Sequence, residues 1–231
     1  MKNIIITGAS RGIGKAAVSK LAEQADVRIL AIARSKENLE TLKNTLQSKT
    51  ELLIYPFDLS KDSFGDLNDF IQQHFDHIDL LINNVGGIVV KPFMEMSSED
   101  FDGQFKINTK SVFELCKICI PLMPKGSHIV NISSMGGFQG SVKFPGLSLY
   151  SASKGAVSIL TESLAAELVE QEIAVNALAF GAVDTDMLRS AFPDYQPPLT
   201  AQEMGEYLAD FALTKAKYYN GKVLPVSVST P

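Results

Sequence analysis

Asn3-Ile4-Ile5-Ile6-Thr7-Gly8-Ala9-Ser10-Arg11-Gly12-Ile13-Gly14 joins an unbroken apolar run to the start of a helical pattern. Isoleucines without alternation suit a strand covered on both faces, as in a parallel sheet. Glycines 8, 12 and 14 then allow a tight turn and a close approach of backbone to a pyrophosphate, whose charge the N-terminus of the next helix would meet. A glycine cap or a simple turn does not need three glycines in seven residues. The stretch therefore reads as strand, phosphate-cradling turn and helix, the opening unit of a dinucleotide-binding fold.

Outward from it, the same alternation continues to the end of the chain. Strands are expected at 3–7, 27–33, 52–57, 80–83, 128–133, 173–179 and 222–226, with helices at 13–24, 36–47, 64–75, 99–120, 151–171 and 201–213. Seven strands alternating with helices are the mark of an α/β, Rossmann-type doubly wound parallel sheet with helices on both faces. No repeat or low-complexity linker divides residues 1–231, so one domain is expected, with substrate loops at 135–149 and 186–199, where periodicity fails.

Composition narrows the function. At 231 residues and 45% hydrophobic the chain can bury a core by itself. A net charge of −5 gives no basic footprint for nucleic acid or an anionic membrane. The first residues carry no secretory pattern and no stretch reaches membrane-spanning length, so a cytoplasmic protein acting on a small molecule is expected. Cys116 and Cys119 form a C-x-x-C inside an apolar helical run, where core packing rather than redox chemistry is expected. His74, His77 and His128 have no spacing that would assemble a metal site with those thiols, and no metal is expected.

The end of the second strand selects the coenzyme. A carboxylate there would bind the ribose 2′-hydroxyl of NAD, but the sequence is Ala33-Arg34-Ser35 and the first acid is Glu37. Arg34 and Arg11 are two planar cations placed to hold a 2′-phosphate, which points to NADP(H). After the third strand, Asp58 either accepts from the adenine amino group or caps the following helix. Asn83-Asn84-Val85-Gly86-Gly87 closes the fourth strand at the edge where α/β sheets bind ligands.

Tyr150-Ser151-Ala152-Ser153-Lys154 places a phenol and an ammonium four apart on one helix face. Bringing a tyrosine from pKa ~10 to ~7 needs roughly 4 kcal/mol, about what one cation ~4 Å away supplies at an effective dielectric of ~20. Desolvation opposes that shift, so a second cation such as an oxidised nicotinamide ring would help.

Together, Thr7-Gly-x-x-x-Gly12-x-Gly14, Asp58-Leu59, Asn83-Asn84-x-Gly86, Asn108, Ile132-Ser133-Ser134, Tyr150-x-x-x-Lys154 and Asn176 through Gly181-x-Val183-x-Thr185 resemble the single-domain branch of the short-chain dehydrogenase/reductase family along nearly the whole chain. The resemblance implies a sheet in the order 3-2-1-4-5-6-7 and hydride transfer between NADP and a carbonyl or alcohol carbon. It makes Tyr150 the general acid or base, and Lys154 the residue that lowers its pKa and holds the nicotinamide ribose. Ser134 is implied as donor to the substrate oxygen, with Ser133 and Ser148 as weaker choices, and Asn108 as holder of a water that resupplies the proton. For the coenzyme it implies Gly8, Ser10, Arg11, Gly12, Ile13 and Gly14 in the first turn. Arg34, Asp58, Leu59, Asn84 and Gly86 follow on the next strand ends. Gly181, Val183 and Thr185 complete the set beside Tyr150 and Lys154, with Val183 and Thr185 on the carboxamide.

Three departures stand out. Phe180 replaces the usual proline before Gly181, 136–147 is longer than is usual between Ser134 and Tyr150, and the chain stops soon after its last strand. Around the expected mouth, Phe93, Met94, Phe138, Phe144, Leu147, Leu188, Phe192 and Tyr195 point to an apolar ketone or aldehyde. A β-ketoacyl chain on acyl carrier protein is an alternative suggested by the Gly-rich turn and Arg11. A coenzyme-binding sensor or scaffold without turnover is a third reading, opposed by the presence of Ser134, Tyr150 and Lys154. Apolarity on more than one face of 99–120 and 150–170 leads to the expectation of a homodimer or homotetramer.

Overall fold

A computed structural model describes residues 1–46 and 50–228. In chain order the elements are β1 (Lys2–Thr7), α1 (Gly12–Leu21), β2 (Val27–Ala33), α2 (Lys36–Thr45), β3 (Glu51–Pro56), α3 (Gly65–His74) and β4 (Leu80–Asn83). They continue with α4 (Ser98–Phe105), α5 (Ser111–Cys119), β5 (His128–Ser134), α6 (Ser148–Glu167) and β6 (Ala174–Phe180). Last come β7 (Val183–Asp184), α7 (Asp186–Ala191), β8 (Leu199–Thr200), α8 (Ala201–Thr214) and β9 (Val223–Val226).

The seven-stranded sheet runs β3-β2-β1-β4-β5-β6-β9, every neighbour parallel, and β9 is the seventh strand of the order expected. Strand alternation sorts the core: Ile4 and Ile6 join a cluster with α1, α2 and α8, whereas Ile5 joins one with α3, α5 and α6. Both faces are thus covered, and the ligand-binding edge of such a sheet lies at the carboxyl ends of β1 and β4, where strand order reverses.

Most strand ends fall within a residue of expectation, but the helices differ in instructive ways. The expected helix 36–47 ends at Thr45, and its last position, Gln47, lies outside the described residues. The expected helix 99–120 is α4 and α5 joined by a π-helical turn, Lys106–Lys110. The helix expected from residue 151 begins at Ser148, so Tyr150 already stands inside its first turn. Residues 186–199 are not free of regular structure: they hold α7 and lead into the β7–β8 pairing. Cys116 and Cys119 are buried, and burial pushes the Cys116 thiol up to about 12, which suits packing and not redox work. Among the described residues no helix is long and apolar enough to cross a membrane.

Buried polar side chains tie the strands together. Asn83 Nδ2 donates to Asn131 Oδ1 (2.8 Å), and Asn131 Nδ2 donates to Thr161 Oγ1 (2.9 Å). His128 is 2% exposed; its Nδ1 lies 3.0 Å from the Ala212 carbonyl, and its Nε2 lies 3.1 Å from Asn176 Nδ2. That pairing defines a neutral ring with the proton on Nδ1. Burial lowers its pKa to about 4, against which the Ala212 bond works only in part. The unfolded chain, with an ordinary histidine, binds the extra proton first as acid is added, so this contribution is whole above about pH 6.5 and falls away toward pH 4. The loss amounts to about 3 kcal/mol at its limit. Thermal unfolding followed from pH 7.5 to 4.5 is expected to show it, and His128→Gln to flatten that slope; a parallel slope in the variant would refute the assignment.

Candidate active site

The turn between β1 and α1 needs its glycines for different reasons. Gly8 and Gly12 have φ of +66° and +55°, a region that side chains with a Cβ rarely adopt. At Gly14 a Cβ would stand 2.3 Å from the Gly8 carbonyl oxygen and 2.5 Å from Asn84 Nδ2, so the helix approaches its own turn as closely as backbone allows. Thr7 Oγ1 accepts from the Asn84 and Val85 amides (3.0 and 3.1 Å), while Asn84 Nδ2 donates to the Thr7 and Gly8 carbonyls (3.0 and 3.4 Å). Asn84, expected among the coenzyme contacts, therefore holds the turn in shape with its amide nitrogen. The N-cap of α1, Arg11, supplies no side-chain bond, and the first turn, which contains Ile13, has no acid. By contrast Ser35, Ser97, Thr185 and Thr200 cap α2, α4, α7 and α8. The start of α1 is thus left with backbone N–H donors and a positive dipole end, the requirement for binding an anion.

Arg34 is exposed just beyond β2, and its charge helps lower the Asp58 pKa. Burial pushes the Asp58 carboxyl up, but bonds from the Ser60 amide (3.0 Å) and hydroxyl (2.7 Å), with Arg34 and Lys61, hold it low overall. The helix-cap alternative for Asp58 is ruled out, because α3 begins at Gly65 after Phe64. Leu59 is buried in the core cluster beneath it. Arg11 leans instead toward Asp186 at the root of α7, 3.9 Å away, with both side chains exposed. Thr185 is the neighbour closest to a Cβ imagined on Gly12 (3.6 Å), so the turn and the root of α7 face each other.

On the other side of β4, Ser134, Tyr150, Lys154 and Asn108 meet. Of the three serines considered, Ser134 is the one that acts on the Tyr150 phenol, drawing its pKa down. Ser133 is buried on the Lys154 carbonyl and Ser158, and the exposed Ser148 faces Met96 Sδ. Lys154 is 4% exposed and donates to the Ile132 carbonyl (2.8 Å), and burial lowers its pKa to about 8. A Cβ on Gly86 would lie 3.2 Å from Asn108 Oδ1 and 3.3 Å from Lys154 Nζ, so those groups sit side by side under that glycine. The expected lowering of Tyr150 does not occur within the protein alone. Its half-buried surroundings push the phenol up, with only Ser134 working the other way. Desolvation wins over Lys154, whose ammonium is turned toward Ile132 and Gly86.

The π-helical turn sets Asn108 in place. Asn108 Oδ1 accepts from the Gly87 amide (2.9 Å), and its Nδ2 donates to the Gly87 carbonyl (3.0 Å) and Ser153 Oγ (3.0 Å). With both amide protons committed, a water at Asn108 would have to be held through an oxygen. Such wide turns recur at functional sites.

Beyond β6, Phe180 is buried in the core cluster with Val183, and Gly181 lies against Ser227, where a Cβ would meet Oγ at 2.3 Å. Thr185 accepts from the Leu188 amide (3.2 Å) and starts α7, while Arg189 pairs with Asp184 and Asp186. Of the expected mouth residues, Phe93, Met94, Phe144 and Tyr195 are exposed and Phe138, Leu188 and Phe192 half-buried. Leu147 is a correction: it is buried, capping the start of α6.

Ser153 and Gly87, quoted above only as members of their motifs, and Gly137 were assigned no role of their own from the sequence. A Cβ on Gly137 would fall 2.5 Å from the Lys154 carbonyl carbon and the Gly155 nitrogen, so this glycine lets the loop after β5 press against α6 beside the lysine. A further cleft, lined by Asn3, Arg28, His74 and His77, lies at the amino end of β1, the opposite edge of the sheet.

The profile of the family described as short chain dehydrogenase matches residues 2–196. A protein of Staphylococcus aureus (strain USA300), called an uncharacterized oxidoreductase, is 30% identical over 222 residues, covering 95% of this chain and 94% of the relative. A short-chain dehydrogenase/reductase from Serratia marcescens superposes with a TM-score of 0.85 at 27% identity, over 97% of this chain and 96% of that one. A short chain dehydrogenase from Burkholderia cenocepacia, solved in complex with NADP, gives 0.87 at 24% identity, over 98% and 96%, and shows the shared fold.

Proposed function

The chain belongs to the short-chain dehydrogenase/reductase family of nicotinamide-dependent oxidoreductases, and from that premise we propose that it uses NADPH to reduce an uncharged, apolar ketone or aldehyde to an alcohol. The observation that carries this reading is the convergence of Ser134, Tyr150 and Lys154 beside the glycine-rich turn. The turn suits a dinucleotide: Gly8, Gly12 and Gly14 bring bare backbone to the uncapped start of α1. Ser10 and Ile13 flank that start; Arg34 and Arg11 would face the 2′-phosphate, and Asp58 the adenine. Gly181, Val183 and Thr185 would border the carboxamide. When bound, the reduced nicotinamide supplies the hydride.

In this mechanism Ser134 donates to the substrate oxygen as negative charge gathers there, and Tyr150 releases its proton to that oxygen. The raised phenol pKa keeps Tyr150 protonated, the form an acid needs. Lys154 stabilises the phenolate left behind, and a water on an Asn108 oxygen restores the proton. Because Lys154 titrates near 8, its charge is present below that pH and lost above it. The test is consumption of NADPH and NADH across a panel of ketones and aldehydes, with kcat followed from pH 6 to 10. Faster turnover with NADPH and an alkaline fall centred near pH 8 are expected. Reduction confined to charged sugars or acids would contradict the substrate class, and NADH preference would contradict the role of the two arginines.

Exposed Phe101, Phe113 and Ile159 on α4, α5 and α6 support assembly into a homo-oligomer as part of the same reading. Sedimentation at micromolar concentration should give a multiple of the chain mass.

A further inference from the structure

After β4 the chain passes the site without regular structure: residues 84–92 belong to no helix or strand. Two of them, Gly86 and Gly87, carry no Cβ to restrict the backbone, so the stretch would pivot freely unless something held it. Side chains hold it. Asn108 takes the Gly87 backbone at both ends, accepting from its amide (2.9 Å) and donating to its carbonyl (3.0 Å). A chain pinned at one residue can still turn about it. Gln104 removes that freedom: its Nε2 donates to the same Gly87 carbonyl (2.5 Å), and its Oε1 accepts from the Val89 amide (2.8 Å), two residues further on.

Packing alone would not select an amide at this position. Gln104 is 2% exposed and is the one buried side chain of α4. A leucine would fill the place without the cost of desolvating an amide, a cost that is met only when both ends of the amide are bonded. Both ends are bonded here, and both to residues 87–89.

What Gln104 steadies is the cover over Lys154. A Cβ on Gly86 would lie 3.3 Å from Lys154 Nζ, and one on Gly87 would lie 3.2 Å from Ile107 Cγ2, so the two glycines are wedged between the lysine and the π-helical turn. Lys154 owes its lowered pKa to burial, with no charged group contributing. β5 faces it with the Ile132 carbonyl, and the stretch after β4 with Gly86 beside the Asn108 amide, none of which titrates. On its own helix the titratable neighbour is Tyr150.

We propose that Gln104 is a positioning residue: with Asn108 it clamps residues 87–89 to the end of α4 and the turn that follows, keeping Gly86 pressed on the Lys154 ammonium that serves Tyr150. The proposal rests on the reductase reading above and adds to it a residue that acts through Lys154 without touching substrate.

Two substitutions separate this role from mere packing. Gln104→Leu nearly keeps the volume and loses both bonds, so residues 87–89 loosen and water reaches Lys154. With the best ketone or aldehyde of the panel, kcat at pH 7 per NADPH-binding molecule should fall about 10- to 100-fold. The Lys154 midpoint, followed by NMR in protein carrying ¹³C-labelled lysine and no substrate, should rise by about one pH unit or more from its value near 8. Gln104→Glu keeps the acceptor for Val89 but has a donor for Gly87 only when its carboxyl is protonated, which burial brings into the range of about pH 5.5–7.5. Its kcat relative to the parent should therefore recover about tenfold between pH 7.5 and 5.5, while Gln104→Leu, with no proton to gain, stays low. A Lys154 midpoint that stays put in Gln104→Leu, or a Gln104→Glu ratio that is flat with pH, would overturn the clamp and leave Gln104 a packing residue. Should Gln104→Leu fail to fold, the Gln104→Glu ratio decides alone. A shifted midpoint in a protein that reduces no carbonyl would leave the clamp standing and sink the reductase reading.

Discussion

Tyr150→Phe is expected to lower kcat for carbonyl reduction by about 10³-fold while NADPH affinity and folding change little. The substitution removes one hydroxyl and keeps the ring. Ser134 retains its bond from the Gly136 amide (3.1 Å), so the end of β5 keeps its shape. What disappears is the proton poised for the substrate oxygen; Ser134 can still donate a hydrogen bond to that oxygen, but an aliphatic hydroxyl is too weak an acid to deliver a proton to it. Initial rates under saturating coenzyme measure the loss, and coenzyme titration by NADPH fluorescence serves as the folding and binding control. A variant that turns over at the parent rate would show that the proton comes from elsewhere.

Gly14→Ala should have the second large effect, this time on the coenzyme. The added methyl would meet the Gly8 carbonyl oxygen at 2.3 Å, a backbone atom that cannot swing aside, and Asn84 Nδ2 at 2.5 Å. Either α1 retreats from the turn or the Asn84 tether to Thr7 and Gly8 breaks; both enlarge the distance between the helix N-terminus and a bound pyrophosphate. NADPH binding should weaken by at least about 30-fold, and stability should drop by about 1–3 kcal/mol. Gly103→Ala supplies the contrast. Nothing lies within 4 Å of the added methyl there, in the interior of α4, so stability should rise by about 0.5–1 kcal/mol with no effect on NADPH. Equal NADPH affinity in Gly14→Ala and the parent would mean that the turn does not hold the phosphates.

Much of the site was legible because its residues sit at the ends of regular elements. Tyr150 and Lys154 are related by helix pitch alone, and Gly8, Gly12 and Gly14 answer to backbone requirements that no other residue meets. The π-helical turn under Asn108 was not legible, since local propensity there reads as unbroken helix. It is the paired bonds from Asn108 to Gly87, twenty-one positions away, that accompany the wide turn. The roles of Ser153 and Gly137 were hidden for the same reason: their partners are set by how α6 meets the turn under Asn108 and the loop after β5.

Strand and helix order, the glycine turn and the face shared by Tyr150 and Lys154 follow from the amino-acid sequence by itself, because repeat period and backbone sterics act over a few neighbouring residues. Only the tertiary structure decided that Ser134 rather than Ser133 or Ser148 reaches Tyr150, that Arg11 leans on Asp186, and that Leu147 is buried. It also decided that the Tyr150 phenol is raised rather than lowered. Each of those outcomes depends on which distant side chains and how little water surround a group, quantities that come into being when the sheet closes over its two layers of helices.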